Sequence, residues 1–449
     1  MVIASNFPPD ASVGTMRTLR LVRHLMDAGW HVDVLTAAAE GFRSGTVVDP
    51  ALVGKVPAGV DIVRARAWRP VERLVRGFRS KTHSAGNADQ AFANQPLSPA
   101  RTIPMASRRH SRLKRALSAC TALPDREVSW FVPAVAGGWR AARRRPPDVI
   151  YSSGPPFTAH LVGAAVARLT GRPWVADFRD PWARAPWRED RFAFERRTWA
   201  ILERWVATRA AAVIFATNAN RQDFSRQYGP SVARRFHVVP NGCDVSDFDG
   251  LARHPEAPQG PIVLLHAGSL YGARNPAPLF RAVSRMIASG VADMDRFRIR
   301  FIGRVGIPGI DLIALARNLS LERVVEFVAH MPRRAVLQEM LDAAALLIVQ
   351  PLTTVSIPAK LYEYMAAGRP VLALAEAGGE TADLVHRSGA GVVVEAEDER
   401  AIEQGLMSVL RLGRAFSPVD PGIYDGSVRA AEVRQILADL CEPGVPDAA

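Results

Sequence analysis

Short apolar runs alternate with helix-periodic stretches along most of this 449-residue chain, in two separate series. The first begins with MVIAS, a buried-type strand, followed by the turn-rich NFPPDASVG. Met16, Leu19, Val22 and Leu25 then recur at helical spacing up to Gly29, and WHVDVLTA alternates as a strand. A strand–helix–strand unit of this kind needs a parallel sheet with helices on its faces, because only a long crossover returns the chain in the same direction.

The rhythm resumes at PDVIYSSGPP, a strand and turn, and continues through the helix HLVGAAVARLTG and the strand PWVADFRD. A helix over about 192–209, the strand AAVIFAT, a helix over about 219–228 and the strand FHVVP end this half at the turn NGCD. The polar stretch 245–259 reads as a linker. A second series runs from the strand IVLLHAG to GVVVEA, with helices after Pro276, from Arg333, through PAKLYEYMAAG and near 399–412, and a last helix spans about 427–440. The expected organisation is an N-terminal domain over 1–244, a linker over 245–259, a C-terminal domain over 260–422, and a terminal helix and tail over 423–449. Two such domains suit this length, and their facing strand ends leave a cleft where α/β folds bind ligands.

Charge adds one asymmetry. The net charge is +13, and residues 64–145 hold 18 Lys/Arg against 4 Asp/Glu, so that stretch carries the whole excess. Within it, 80–107 reads as an exposed polar loop, while VERLVRGF and SRLKRALSAC have basic amphipathic spacing. Such a segment attracts polyanions or an anionic membrane surface. Nucleic acid is disfavoured, because helix-turn-helix, RNP and zinc signatures are missing and aromatics do not interleave with the basic run. Cys120, Cys243 and Cys441 show no metal-ligand or disulfide-framework spacing, and no apolar run approaches the roughly 20 residues of a spanning helix. A reducing cytoplasm, with the chain free or peripheral on the inner face of the plasma membrane, is the expected setting.

Two local patterns carry chemistry. Gly14 precedes a helix whose first N–H groups can meet a phosphate, although GxGxxG and the Walker pattern are both missing. In PAKLYEYMAAGRP, Lys360 and Glu363 are three residues apart and share a helix face. A carboxylate there can accept from both hydroxyls of a ribose, and an ammonium can offset phosphate charge, whereas spacing alone fits an ordinary surface ion pair equally well.

The string PAKLYEYMAAGRPVLAL with AGGETADLV resembles the donor-site segment of glycosyltransferase family 4, enzymes of the GT-B fold. SNFPPDASVGTMRTLRLVRHLMDAGWHVDVLT, VVPNGCD and LLHAGSLYGARNPAPLFRAV resemble other segments of that family in the same order. VIYSSGPPFTAHLVG with PWVADFRDPW resembles its bacterial surface-polysaccharide branch. The resemblance implies two Rossmann-like doubly wound domains and a retaining, metal-independent transfer from a nucleotide-diphosphate sugar to a glycan or polyprenyl-linked acceptor, with no cofactor. It further implies that Glu363 binds the donor ribose and that Arg274, in the place of a usual lysine, binds the diphosphate. Gly14, Gly268, Ser269, Gly378, Gly379, Glu380 and Thr381 are expected around the donor. Asp180, with Asp177 as its competitor, is expected to orient the acceptor hydroxyl or donor sugar.

Two departures stand out. The family's first glutamate, eight residues before the second, is Val355 here, and Gly268 is followed by Ser269 instead of arginine, which leaves Lys360 to supply the charge. The family's members also carry a few more strand residues before Met1, so a short first strand or an upstream start is expected. The competing readings are a GT-B-like nucleotide-sugar epimerase, which needs no acceptor, and an inactive or polyanion-binding homologue.

Overall fold

The computed structural model describes residues 1–39, 48–67, 123–185, 192–252, 261–328, 331–412, 416 and 419–442. The amphipathic stretches and polar loop expected between 71 and 120 lie outside these residues, as do residues 253–259 of the linker.

In the N-terminal domain β1 (Val2–Ile3), α1 (Val13–Asp27), β2 (Asp33–Ala37) and β3 (Asp61–Ala65) are followed by α2 (Phe131–Arg144), β4 (Ile150–Gly154) and α3 (Thr158–Thr170). Then come β5 (Trp174–Phe178), α4 (Ala193–Arg209), β6 (Ala212–Phe215), α5 (Asn218–Tyr228) and β7 (Phe236–Val238). The strands form a seven-stranded sheet in the order β3-β2-β1-β4-β5-β6-β7. Every pairing is parallel, with β1 between β2 and β4. Strands β4 and β5 are buried along their whole length, polar Ser152, Ser153 and Asp177 included, as expected of central strands covered on both faces.

The C-terminal domain repeats the scheme. It holds β8 (Ile262–Ala267), β9 (Leu270–Tyr271), α6 (Ala277–Ala288), β10 (Phe297–Ile302), β11 (Val305–Gly306), α7 (Leu312–Asn318) and β12 (Val325–Val328). It continues with α8 (Arg333–Asp342), β13 (Ala345–Gln350), α9 (Lys360–Ala367), β14 (Val371–Ala375), α10 (Glu380–Ser388), β15 (Gly391–Val394) and α11 (Glu399–Leu412). Its six-stranded sheet has the order β12-β10-β8-β13-β14-β15, and β9 pairs with β11 beside it. Both sheets are therefore doubly wound, with an apolar core on each face.

The last helix, α12 (Gly426–Asp439), crosses back to the first domain. Its Val433 and Leu437 are buried with Leu19 and Val22 of α1. The turn after β7 is clamped to the start of α12, since Cys243 N donates to Tyr424 O at 2.8 Å and Gly426 N to Cys243 O at 2.8 Å. Elements β3 and α2 occupy ground where sequence periodicity assigned nothing. Glu380–Ser388, to which sequence periodicity assigned no helix, is helix α10, whose glycine-rich approach masks its start.

Candidate active site

The ends of β8 and β13 and the start of α9 build a cationic corner in the C-terminal domain. His266 is a polar residue inside the apolar strand β8 and is fully buried. Its Nδ1 lies 2.9 Å from the Leu347 carbonyl, which can only accept, so the ring proton sits on Nδ1. The Nε2 lone pair then faces Lys360 Nζ at 3.0 Å. Burial, reinforced by the charge of Lys360, holds His266 well below the usual imidazole range, and the ring stays neutral. Lys360 is pulled down to about 7, by burial first and then by the neighbouring Arg274 guanidinium. Arg274 itself lies over the Tyr271 ring at 4.5 Å.

Gly268 makes this corner possible. Its φ of 133° is strained for any side chain, and a Cβ there would lie 2.5 Å from Lys360 Nζ. Gly303, at φ 135°, packs on the Gly268 backbone in the same way, and Ser269 is half-buried next to this contact. Two cations with a neutral imidazole behind one of them form a site for a compact anion, because an ammonium and a guanidinium held this close repel until an anion neutralises them.

Glu363 stands in the first turn of α9, one turn on from Lys360, and pairs through Oε1 with Arg333 Nη2 at 2.9 Å. Arg333 also pairs with Asp247 at 2.7 Å, so the expected ribose acceptor is held by a guanidinium anchored on the interdomain segment.

Across the cleft, α1 begins at Val13 with Ser12 as an N-cap whose side chain makes no cap bond. The Arg179 guanidinium lies directly against Gly14, where a Cβ would collide with it. Arg179 Nη2 donates to Pro155 O, and its Nε is buried without a partner among the described residues. The half-buried Asp180 is close enough to stabilise the Arg179 charge. Trp182 is fully buried and stacks on Phe157 at 4.5 Å, which pins the 179–182 turn after β5.

Asp177 has a different place from the one expected of it. It is fully buried, and its carboxylate takes a bidentate pair from Arg17, at 2.9 Å to each oxygen. It also accepts from Tyr151 Oη at 2.5 Å and Ser153 Oγ at 3.2 Å. Burial would raise its pKa, but the charge and hydrogen bonds of Arg17 hold it below the usual carboxylate value. Arg17 also donates to the carbonyls of Val239 and Pro240 and to Asn241 Oδ1. Asp177 thus anchors α1 and the interdomain turn and turns no oxygen to the cleft, which leaves Asp180 as the carboxylate at that strand end.

The donor-loop residues also divide. Glu380 Oε1 accepts from Ala219 N, in the first turn of α5, so this side chain bridges the two domains at a helix N-terminus that favours a carboxylate. Thr381 is buried and its hydroxyl donates to Ser356 O at 3.1 Å, which ties α10 to the loop before α9. A Cβ on Gly379 would press on Thr353 and Thr354, whereas Gly378 faces open space. Val355 contributes only backbone: its carbonyl accepts from Thr217 Oγ1 at 2.8 Å, a second bridge between the domains.

Residues 14–242 match the model of the glycosyl transferase 4-like domain, and residues 261–411 match that of the glycosyl transferases group 1. The chain belongs to this glycosyltransferase family. A curated relative, the D-inositol 3-phosphate glycosyltransferase of Geodermatophilus obscurus, is 28% identical over 225 residues, or 48% of this chain and 49% of the relative. This glycosyltransferase chain therefore spans about half the length of that relative in the match. Sucrose-phosphate synthase from Thermosynechococcus elongatus superposes with a TM-score of 0.59 at 14% identity, covering 98% of both chains. HepE from Anabaena, in complex with UDP-glucose, gives 0.58 at 15% identity over 98% of this chain and 99% of its own. At these identities the two structures establish the GT-B fold.

Sequence reasoning missed three residues of the glycosyltransferase cleft, His266, Arg333 and Arg179, and the buried anchor Arg17. A histidine inside LLHAG was a legible signal, because an imidazole in an apolar strand needs a partner. The arginines carry no such mark, because their partners come from segments distant in sequence. Away from these residues, His31, Asp33 and Asp61 converge with ligand atoms within 4.8 Å, but Arg145 lies 2.8 Å from Asp61 and 3.7 Å from Asp33 and supplies the countercharge.

Proposed function

We propose that the chain transfers a sugar, with retention and without a metal ion, from a nucleoside-diphosphate sugar to a hydroxyl of a glycan or lipid-linked acceptor in cell-surface polysaccharide or glycolipid synthesis. The observation that carries this reading is Lys360, seated against Gly268 by His266 beside Arg274. A diphosphate placed there gains two fixed cations as negative charge builds on the leaving group, which is the task a divalent ion performs elsewhere. In this reading Glu363 takes the ribose hydroxyls, and the Gly14 backbone, with the Arg179 guanidinium packed against it, borders the reacting sugar.

In the step we propose, the bond from the anomeric carbon to the diphosphate oxygen breaks and a bond to the acceptor oxygen forms on the same face. The acceptor proton passes to the departing diphosphate, with Asp180 orienting the hydroxyl. The bridges Glu380 to Ala219 and Thr217 to Val355 keep the domains together, so that the acceptor and not water attacks. An anionic acceptor suits Arg179 at the start of α1. The curated relative named for D-inositol 3-phosphate acts on a phosphorylated acceptor, and a polyprenyl-diphosphate-linked sugar offers the same chemistry. Among the described residues no helix is long and apolar enough to cross a membrane, so a lipid-borne acceptor requires peripheral docking.

The test is a thermal-shift screen with UDP, GDP, TDP and ADP, with and without EDTA, on the native chain and Glu363→Ala. One diphosphate stabilising only the native chain, regardless of EDTA, is the expected result. Stabilisation that EDTA abolishes would refute metal independence, and no stabilisation by any of the four would refute the donor site.

A further inference from the structure

Helices α2, α3 and α4 lie side by side on one face of the N-terminal sheet. Together they show an unusual surface. Helices α2 and α3 contain no acidic residue, and both acids of α4 are buried. Glu203 is turned inward onto Ala183 N at 2.7 Å and Arg184 at 2.7 Å, and Glu195 caps Phe192 N at 3.0 Å. What the three helices present to solvent is therefore cationic or apolar. Arg140 and Arg143 of α2, Arg168 of α3 and Arg196, Arg204 and Arg209 of α4 are all exposed.

Among these arginines stand large apolar side chains that an aqueous surface would not retain in such number. Val132 is 69% exposed, Leu169 55%, Ile201 67% and Trp205 40%. Ile201 and Trp205 are one turn apart on α4, so they project together. Between α3 and α4 opens a groove of about 820 Å³, with Leu161 and Trp174 in its lining. Among the described residues its only charged lining side chains are Arg168, Arg172 and Arg209.

We propose that the α2–α3–α4 face is the surface on which this chain docks to an anionic lipid bilayer, with Ile201 and Trp205 entering the headgroup region. The arginines lie along the lipid phosphates, and their aliphatic stems cover apolar surface while the guanidinium heads stay in the polar layer. Trp205 has the apolar body and polar edge suited to that depth. A nucleic acid would meet the same charge, but it would gain nothing from exposed valine, leucine and isoleucine, and a phosphate backbone is the poorer complement. The proposal deepens the reading of a lipid-borne acceptor. It moves the contact to α3 and α4, beyond the basic stretch 64–145 that first suggested a membrane.

The experiment is flotation of the full chain with phosphatidylcholine vesicles, neutral or carrying roughly one-third phosphatidylglycerol. The native chain is expected to float only with the anionic vesicles. Arg204→Ser/Arg209→Ser lowers partitioning roughly 25-fold, about fivefold per arginine, and the difference vanishes at high salt. Ile201→Ser/Trp205→Ser lowers it about tenfold or more at low and high salt alike, because apolar burial is not screened. Arg317→Ser/Arg323→Ser, exposed on the other domain, leaves it unchanged. Each variant is also tested for stabilisation by a nucleoside diphosphate, so that loss of docking and loss of the donor site are told apart. Native-like flotation of both α4 variants would overturn the proposal. So would equal binding to neutral vesicles, or an oligonucleotide that displaces the chain from the anionic ones.

Discussion

Removing the positive charge at Lys360 should make donor binding insensitive to pH. In the empty protein the amine has a pKa of about 7, lowered by burial and by Arg274 from an ordinary 10.5. A diphosphate seated against it reverses the second cause and takes the amine back toward its ordinary value. Below about pH 7 the empty site is already charged and affinity is at its plateau. Above it the site must take up a proton to bind, so affinity falls about tenfold per pH unit, or roughly a hundredfold by pH 9, which is about 2.7 kcal/mol. In the empty fold the sign is the reverse of a stabilising ion pair. The amine holds its proton less tightly folded than unfolded, so it destabilises most below pH 7 and progressively less toward 10.5. The assay is calorimetric titration with a nucleoside-diphosphate sugar, whose diphosphate has no proton to lose in this range, in buffers of different ionisation enthalpy. The native chain should take up about 0.9 proton at pH 8, and Lys360→Met none. The two should differ most near pH 6 and converge by about pH 9. Native affinity that is flat from about pH 6 to 9, with no buffer dependence, would refute the placement of the diphosphate at Lys360.

Asp177→Asn should cost about 3–5 kcal/mol in urea unfolding, because it leaves the buried Arg17 guanidinium without its counter-ion; a loss below about 1 kcal/mol would contradict the anchoring role. The stability that Asp177 confers should be complete above the ordinary carboxylate pKa of 3.8 and be lost as pH falls through its lower folded value, visible as acid unfolding. Glu363→Gln should weaken a nucleoside diphosphate about 10- to 100-fold while leaving inorganic diphosphate binding unchanged, since the lost contact is to ribose; equal weakening of both would place Glu363 elsewhere. Gly268→Ala should lower stability by about 1–3 kcal/mol and donor affinity as well, because φ 133° is unfavourable for alanine and its Cβ would displace Lys360; unchanged calorimetric binding would show that Lys360 does not need that seat.

Much of the architecture was legible because period and punctuation agree. The continuous apolar runs at 345–349 and 371–375 are strands buried on both faces, and 399–412 reads as a helix by spacing alone. Helix α10 was missed because its glycine-rich approach looks like a loop, and Leu312–Asn318 because about two turns offer too few periodic positions. At the site, Lys360 and Glu363 stand where the local string places them. Asp177 and Asp180 could not be separated from sequence, since they stand three residues apart at the end of one strand run, PWVADFRD.

The chain by itself determined that two parallel α/β units would form, because strand runs separated by helices cannot pair any other way, and it placed the polar residues of PAKLYEYMAAGRP at a strand-to-helix junction. Only the tertiary structure decided which polar groups are tools and which are struts. Asp177 became a strut when Arg17, 160 residues away, closed on it inside the core. Lys360 became chemically unusual when His266 and Arg274 met it from other strands and loops. The physical reason is that a carboxylate or an amine takes its properties from burial and from the charges within a few ångström, and those neighbours are distant in sequence.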